Sequence, residues 1–217
     1  MYEARIRAIV EKLAELQRKP GTEGWFGVEK HHFRLNAPLA EAELEAFEKR
    51  HGVRLPEDYR QFLLLAGNGG AGPYYGLGAL VEFDEWFEEE DAEPGFVASP
   101  CPFVYEQVTS AAWREYLPED RSDWGRGSIH ICEQGCTYTA RLVVSGASRG
   151  RVFNFDASHG PAPPYFVRDK NFIDWYERWV DEARAGEPAW DFGFDNPDYD
   201  AVRAEQARPL PGERRLI

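Results

Sequence analysis

Apolar residues recur along this chain in two periods, helical in the first third and at the end, and alternating between them. Ile6, Ile9, Val10, Leu13 and Leu16 form one stripe, so residues 2–18 predict an amphipathic helix that Pro20 and Gly21 end. A second helix is predicted from Leu39 to His51, with Leu44 and Phe47 facing inward and Gly52 placed as its left-handed cap. The stretch Leu55–Leu77, LPEDYRQFLLLAGNGGAGPYYGL, reads as a short helix, an abrupt stop and a glycine-rich turn leading into a strand. Pro56 suits the first helical position, and Glu57 and Asp58 favour the positive end of the helix dipole. Tyr59, Phe62, Leu63 and Ala66 share one buried face. Gly67 and Asn68 are expected to supply left-handed conformations, Gly69, Gly70 and Gly72 to keep the backbone turning, and Leu80 and Val81 to lie in a strand.

From Ser128 the period becomes two. SIHIC, CTYTARLVV and RVFNF, separated by EQG and SGASRG, predict an antiparallel meander. A last amphipathic helix follows from Phe172 to Arg184, with Phe172, Ile173, Tyr176, Trp179 and Val180 on one side. Trp25, Phe26, Val28 and Phe33 fit either a short strand or an aromatic-rich loop, with His31 and His32 solvated or capping. Short strands and loops are expected from Pro94 to Pro118. The fold class that emerges is α+β: a curved antiparallel sheet with helices packed around it. Residues 1–190 are read as a single domain, and 191–217 as a tail that is partly docked, through aromatics such as Phe192 and Phe194, or disordered.

Composition narrows the function. At 217 residues the chain can bury a proper core without disulfides or metal. Three cysteines give no disulfide framework and fit a reducing compartment. No apolar run is long enough to span a bilayer, and the first residues lack a signal-peptide pattern, so the expected location is cytoplasmic. The formal net charge is −13, which repels nucleic acid and anionic lipid and attracts basic partners.

The candidate chemistry is sparse. Phosphate cradles precede a helix, whereas the glycine-rich turn follows one, at its negative end, and no Gly-Lys-Ser/Thr comes after it. His130, Cys132 and Cys136 form an HxCxxxC cluster in which alternation puts His130 and Cys132 on one face. A zinc site there needs a fourth ligand from Cys101 or His159, and buried free cysteines are the commoner case; no metal and no cofactor is expected. A Cys–His nucleophile pair with His159 lacks the positive environment that activates a thiol. No G-x-S-x-G elbow, HExxH pair or dinucleotide fingerprint occurs, so no catalytic residue is assigned. There remains EFDEWFEEEDAE, Glu82–Glu93, with eight acids and no base. It reads either as a solvated face or as a docking surface for a cationic partner, made by Glu82, Asp84, Glu85, Glu88, Glu89, Glu90 and Asp91 with Trp86 as an aromatic anchor.

Three blocks in order resemble the signature of the SUKH superfamily, the domain also found in fungal Smi/Knr cell-wall regulators. They are LPEDYRQFLLLAGNGGAGPYYGL, then ICEQGCTYTARLVVSGASRGRVF from Ile131 to Phe153, and NFIDWYERWVDEA from Asn171 to Ala183. The resemblance covers roughly residues 37–185. It rests on Leu55, Pro56, Tyr59, Phe62, Leu63, Asn68, Gly69, Gly70, Tyr75, Gly76 and Leu77, then Gly135, Cys136 and Gly150, and last Trp175. It implies an α+β fold and a non-enzymatic role. Bacterial members commonly act as immunity proteins that neutralise a cognate toxin, often a nucleic-acid-directed one, while fungal relatives are interaction hubs. The expected partner is therefore a basic toxin domain, with no nucleic acid and no membrane. The alternatives are a regulatory scaffold that binds an endogenous protein or a small ligand near the glycine-rich turn, and an enzyme, since fold does not determine function.

Overall fold

The computed structural model describes residues 2–80, 95–156, 164–188 and 190–206. Helix α1, Tyr2–Leu16, buries Ile6, Ile9, Leu13 and Leu16 and leaves Val10 exposed. After it come a four-residue helix α2, Val28–His31, then α3, Glu41–His51, and α4, Glu57–Leu65. Gly52 closes α3 in the left-handed conformation, at φ 65°, as its position predicts. Pro56 stands one place before the first turn of α4, as its N-cap.

Helix α4 buries charge as well as rings. Arg60 is 4% exposed, its guanidinium held by Glu48 and, at 2.5 Å, by Glu41. Glu48 also accepts a hydrogen bond from the Leu55 N–H at 2.7 Å. A buried arginine is tolerated only with such partners. On the same helix, the Asp58 carboxylate accepts the Ile173 N–H at 3.0 Å, and so helps to start α6, Phe172–Ala185. Asn171 caps α6 by accepting the Asp174 N–H at 2.9 Å. The facing surfaces of α4 and α6 are aromatic: Phe62 lies 4.7 Å from Tyr176 and 5.2 Å from Phe172, edge to face.

The meander forms as its alternation predicts. Strands β1, Ser128–Gly135, β2, Tyr138–Val143, β3, Val152–Asp156, and β4, Tyr165–Phe166, pair antiparallel in the order β1-β2-β3-β4. Leu142 and Val152 turn towards the helices, into a core shared with α1, α4 and α6. Their neighbours Val143 and Phe153 turn the other way, onto a second core of Phe103, Trp113, Trp124 and Tyr199. The expectation of a curved sheet is thereby corrected: the sheet is an open meander, neither curved round nor closed. Closure requires more strands than four, the last of them two residues long, and apolar layers on both faces leave none for the sheet to wrap around.

Residues 95–118 contain no strand; among them are a short helix α5, Tyr105–Val108, and a 3₁₀ turn at Trp113–Tyr116, which feed the second core. The chain after α6 returns to β4. Asn196 donates to the Phe166 carbonyl at 3.0 Å, and Tyr199 donates to Pro164 O at 2.7 Å while accepting the Phe166 N–H at 2.8 Å. Helix α7, Asp200–Gln206, follows. Among the described residues no helix is long and apolar enough to cross a membrane.

Candidate functional site

The glycine-rich turn is laid along the exposed edge of β1. The N–H groups of Tyr75 and Gly78 donate to the carbonyls of Glu133 and Ile131, at 3.2 and 3.1 Å. The left-handed residues are Gly69, Gly70, Tyr74 and Gly76, not Gly67 and Asn68. Asn68 serves instead through its buried side chain, whose Oδ1 accepts the Leu80 N–H at 2.7 Å. A Cβ on Gly70, at φ 96°, would stand 2.5 Å from the Arg34 carbonyl oxygen, so glycine is required there. Leu77 bridges Gly70 and Cys132 singly rather than within a continuous strand.

Midway along that turn stand Pro73 and Tyr74, and beside them opens an aromatic cleft of about 320 Å³. Its floor is Phe33, His31 and Trp179, all buried, with Phe33 and Trp179 stacked at 6.0 Å and His31 edge-on to both. One wall is Trp25 and Phe26. The other is Tyr74 and Phe192, joined by the hydrogen bond that the Tyr74 hydroxyl donates to Phe192 O at 2.8 Å. Glu187, Pro188 and Trp190 form the rim. Gly27 locks the first wall to the turn: at φ 78°, a Cβ there would fall 1.7 Å from the Tyr74 carbonyl oxygen. Phe26 remains 56% exposed and Trp190 85% exposed, which is unusual for residues of their size.

His31 is buried, which corrects the reading of it as solvated, while His32 does cap α2. Burial, and then the neighbouring His32, push His31 down to about 4, against the pull of Glu29 and a hydrogen bond to the Gly72 backbone. Its Nδ1 accepts the Phe33 N–H at 2.9 Å. The imidazole is therefore neutral at physiological pH and adds no positive charge to the floor. Burial raises the Tyr74 phenol well above its ordinary range, and Cys132, Asp191 and Asp195 push it further the same way. Two more open hollows beside α6 are lined mainly by charged residues that pair with one another, such as Arg184 with Glu15 at 2.8 Å.

The HxCxxxC cluster is not assembled. A bulge between His130 and Cys132 breaks the alternation, so Ile131 and Cys132 both join the helix-side core. The Cys132 thiol donates to Pro73 O at 3.2 Å, and burial raises its pKa. Burial also lifts Cys101 to about 11. Cys136 is exposed at the tip of the β1–β2 hairpin, at φ 54°. Among the described residues no group of three or more His, Cys, Asp or Glu lies close enough to hold a metal. His159 lies outside the described residues, as do Val81 and the whole acidic run Glu82–Glu93 with Trp86.

Of the signature residues, Leu55, Tyr59, Phe62, Leu63 and Trp175 lie in the helix-side core. Pro56 is buried at the start of α4. Gly135, at φ 96°, sits beneath the Tyr75 ring, and Gly150, at φ 92°, turns the chain between β2 and β3. The signature thus surrounds the cleft more than it lines it. Most lining residues come from WFGVEKHHF and from EPAWDF, whose density of aromatics was the available signal.

Residues 38–178 match the SMI1 / KNR4 family (SUKH-1). The chain belongs to that family. No curated protein and no solved structure matches it. Within the SUKH-1 span lie α3, α4, the glycine-rich turn, the sheet and the first half of α6; Trp25, Phe26, His31, Phe33, Trp179, Glu187, Trp190 and Phe192 lie outside it. The cleft is where this chain's own flanks meet the turn of its SUKH-1 domain.

Proposed function

We propose that this SUKH-1 chain is a non-catalytic protein-binding domain that acts as an immunity protein, neutralising a basic, nucleic-acid-directed toxin by stoichiometric binding. The observation that supports this reading most is its acid excess, a net charge of −13 with eight of the acids gathered in Glu82–Glu93. Such concentrated carboxylates repel one another and add little to folding, whereas a basic partner relieves the repulsion and is steered into contact. Glu82, Asp84, Glu85, Trp86, Glu88, Glu89, Glu90 and Asp91 are assigned to that surface. Occlusion of the toxin's active site needs no chemistry from this chain.

The test uses the partner captured by pull-down or encoded by a neighbouring gene, with binding kinetics at two salt concentrations. Neutralising Asp84, Glu85, Glu88 and Glu89 together is expected to slow association by roughly tenfold at low salt. The deficit should shrink near 0.15 M, where screening acts within about 8 Å. Wild-type kinetics at low salt in the quadruple variant would remove the acidic run from the interface. Measurable turnover of a substrate would overturn the non-catalytic reading.

A further inference from the structure

We propose that the aromatic cleft is a socket for an arginine side chain presented by the protein partner. The inference rests on the protein-binding reading above and gives it a specificity pocket. Four features lead to it. The cleft is lined by aromatic rings from separate segments, Trp25 and Phe26 before the turn, Tyr74 within it and Phe192 after α6. At about 320 Å³ it sits at the small end of ligand pockets, which run from roughly 300 to 1,000 Å³, and so suits one long side chain.

The charge around it is negative. Glu187 stands on the rim, Glu29 acts on the floor histidine and Asp191 on the Tyr74 phenol, while Asp195, which also acts on that phenol, is already paired with Arg168 at 3.0 Å. Of the nearby cations, Arg178 stacks on Phe192 at 4.2 Å but is held by Asp169 at 2.6 Å. Lys19 lies 5.2 Å over Trp25 and donates to the carbonyls of Ala183 and Arg184. Each occupies one face of its ring from outside the cleft lining, so neither fills the cleft itself.

Trp190 supplies the fourth feature: a tryptophan left 85% exposed at the mouth is placed to close over an occupant. Arginine fits better than lysine because its planar, weakly hydrated guanidinium stacks on aromatic faces while donating sideways to a carboxylate. A purely apolar occupant would leave Glu187 without a role, and an anionic one would be repelled.

The experiment needs no toxin. N-acetyl-arginine methylamide is titrated into the ¹⁵N-labelled full chain, and the indole N–H resonances of Trp25 and Trp190 are followed. The citrulline and leucine methylamides serve as the neutral isostere and the apolar control. Saturable shifts with arginine are expected, with citrulline at least about fivefold weaker. Glu187→Gln should weaken arginine about threefold while leaving citrulline unchanged, and Trp190→Ala should weaken arginine at least as much without altering the fold. Leucine or citrulline binding as tightly as arginine, or no saturable shift of these indoles, would overturn the socket. The two readings also separate. Arginine binding by a chain that fails to protect cells from its toxin removes the immunity reading alone, and protection without arginine binding removes the socket alone.

Discussion

Residues 69–77 hold their shape through the backbone, whereas the cleft beside them holds its shape through side chains. In the turn, Gly70 hydrogen-bonds Leu77 in both directions at 2.8 Å, and Ala71 donates to Arg34 O at 2.8 Å. In the cleft, Trp25 packs on Phe33 and Phe26 on Tyr74, and one hydroxyl bond ties Tyr74 to Phe192. The first region lies within the SUKH-1 match, and the second is mostly outside it. Backbone geometry of this kind constrains the residue type at single positions. Ring packing constrains only size and apolarity, so it leaves a surface free to be specified for one partner.

The sharpest way to break this contrast is to add one methyl group to each region. Gly70→Ala combines a φ of 96° with a Cβ 2.5 Å from Arg34 O, so the whole fold should suffer. A loss of about 3 kcal/mol or more is expected, or roughly 10 °C in melting temperature. Gly27→Ala places its Cβ 1.7 Å from Tyr74 O and must push the Trp25–Phe26 wall away from the turn. Far-ultraviolet circular dichroism should persist in that variant while tryptophan fluorescence changes. Equal global unfolding in the two variants would show that turn and cleft are one cooperative unit.

Acid titration sharpens the same comparison, because the cleft floor and the strand that the turn is laid along each hold one histidine. His31 lies in the cleft floor and His130 in the sheet, and each is pushed down to about 4. For His130 the causes are burial and then Arg141, opposed by a hydrogen bond to the Cys132 backbone. The folded chain then binds fewer protons than the unfolded chain, whose histidines titrate near 6.5. Stability should therefore be full above pH 6.5, fall as pH drops below it, and lose up to about 3 kcal/mol per histidine by pH 4. Urea unfolding at pH 7.5, 5.5 and 4.5 measures this slope, and His31→Gln and His130→Gln should each flatten it. An unchanged slope in His31→Gln would mean that the cleft opens before the histidine charges.

Much of the frame was legible in the sequence, because helices and strands announce themselves by period. The stripe of α1, the faces of α4 and α6 and the three long strands needed only local pattern. What period cannot carry was misread. A bulge after His130 moved Cys132 off the face that alternation gives it, and the sheet expected to be curved is open. Left-handed geometry fell on Gly69, Gly70, Tyr74 and Gly76 rather than on Gly67 and Asn68, because pairing with residues outside the local pattern, such as Arg34 and Leu77, decides it. The cleft draws on residues 25–33, 72–74, 179 and 187–192, and no local pattern says that these meet.

The smallest expected effects come from two tyrosine hydroxyls that do the same job in the two regions. Tyr176 donates to the Ala71 carbonyl at 2.7 Å inside the helix-side core, and Tyr74 donates to the Phe192 carbonyl at 2.8 Å at the edge of the cleft. Replacing either by Phe keeps the ring and removes the donor. In Tyr176→Phe the Ala71 carbonyl is left in an apolar interior that water does not reach, and a loss of about 1–3 kcal/mol is expected. In Tyr74→Phe the half-buried site lets water take the place of the hydroxyl, which limits the loss to about 0.5–1 kcal/mol. Urea unfolding gives both numbers, and amide exchange locates them. Tyr176→Phe should speed exchange throughout α4 and α6, and Tyr74→Phe only around Phe192 and Gly193, where the flank comes away from the turn. If Tyr74→Phe instead raises exchange across the sheet, the flank supports the SUKH-1 core rather than resting on it. The cleft would then be part of what holds the domain together.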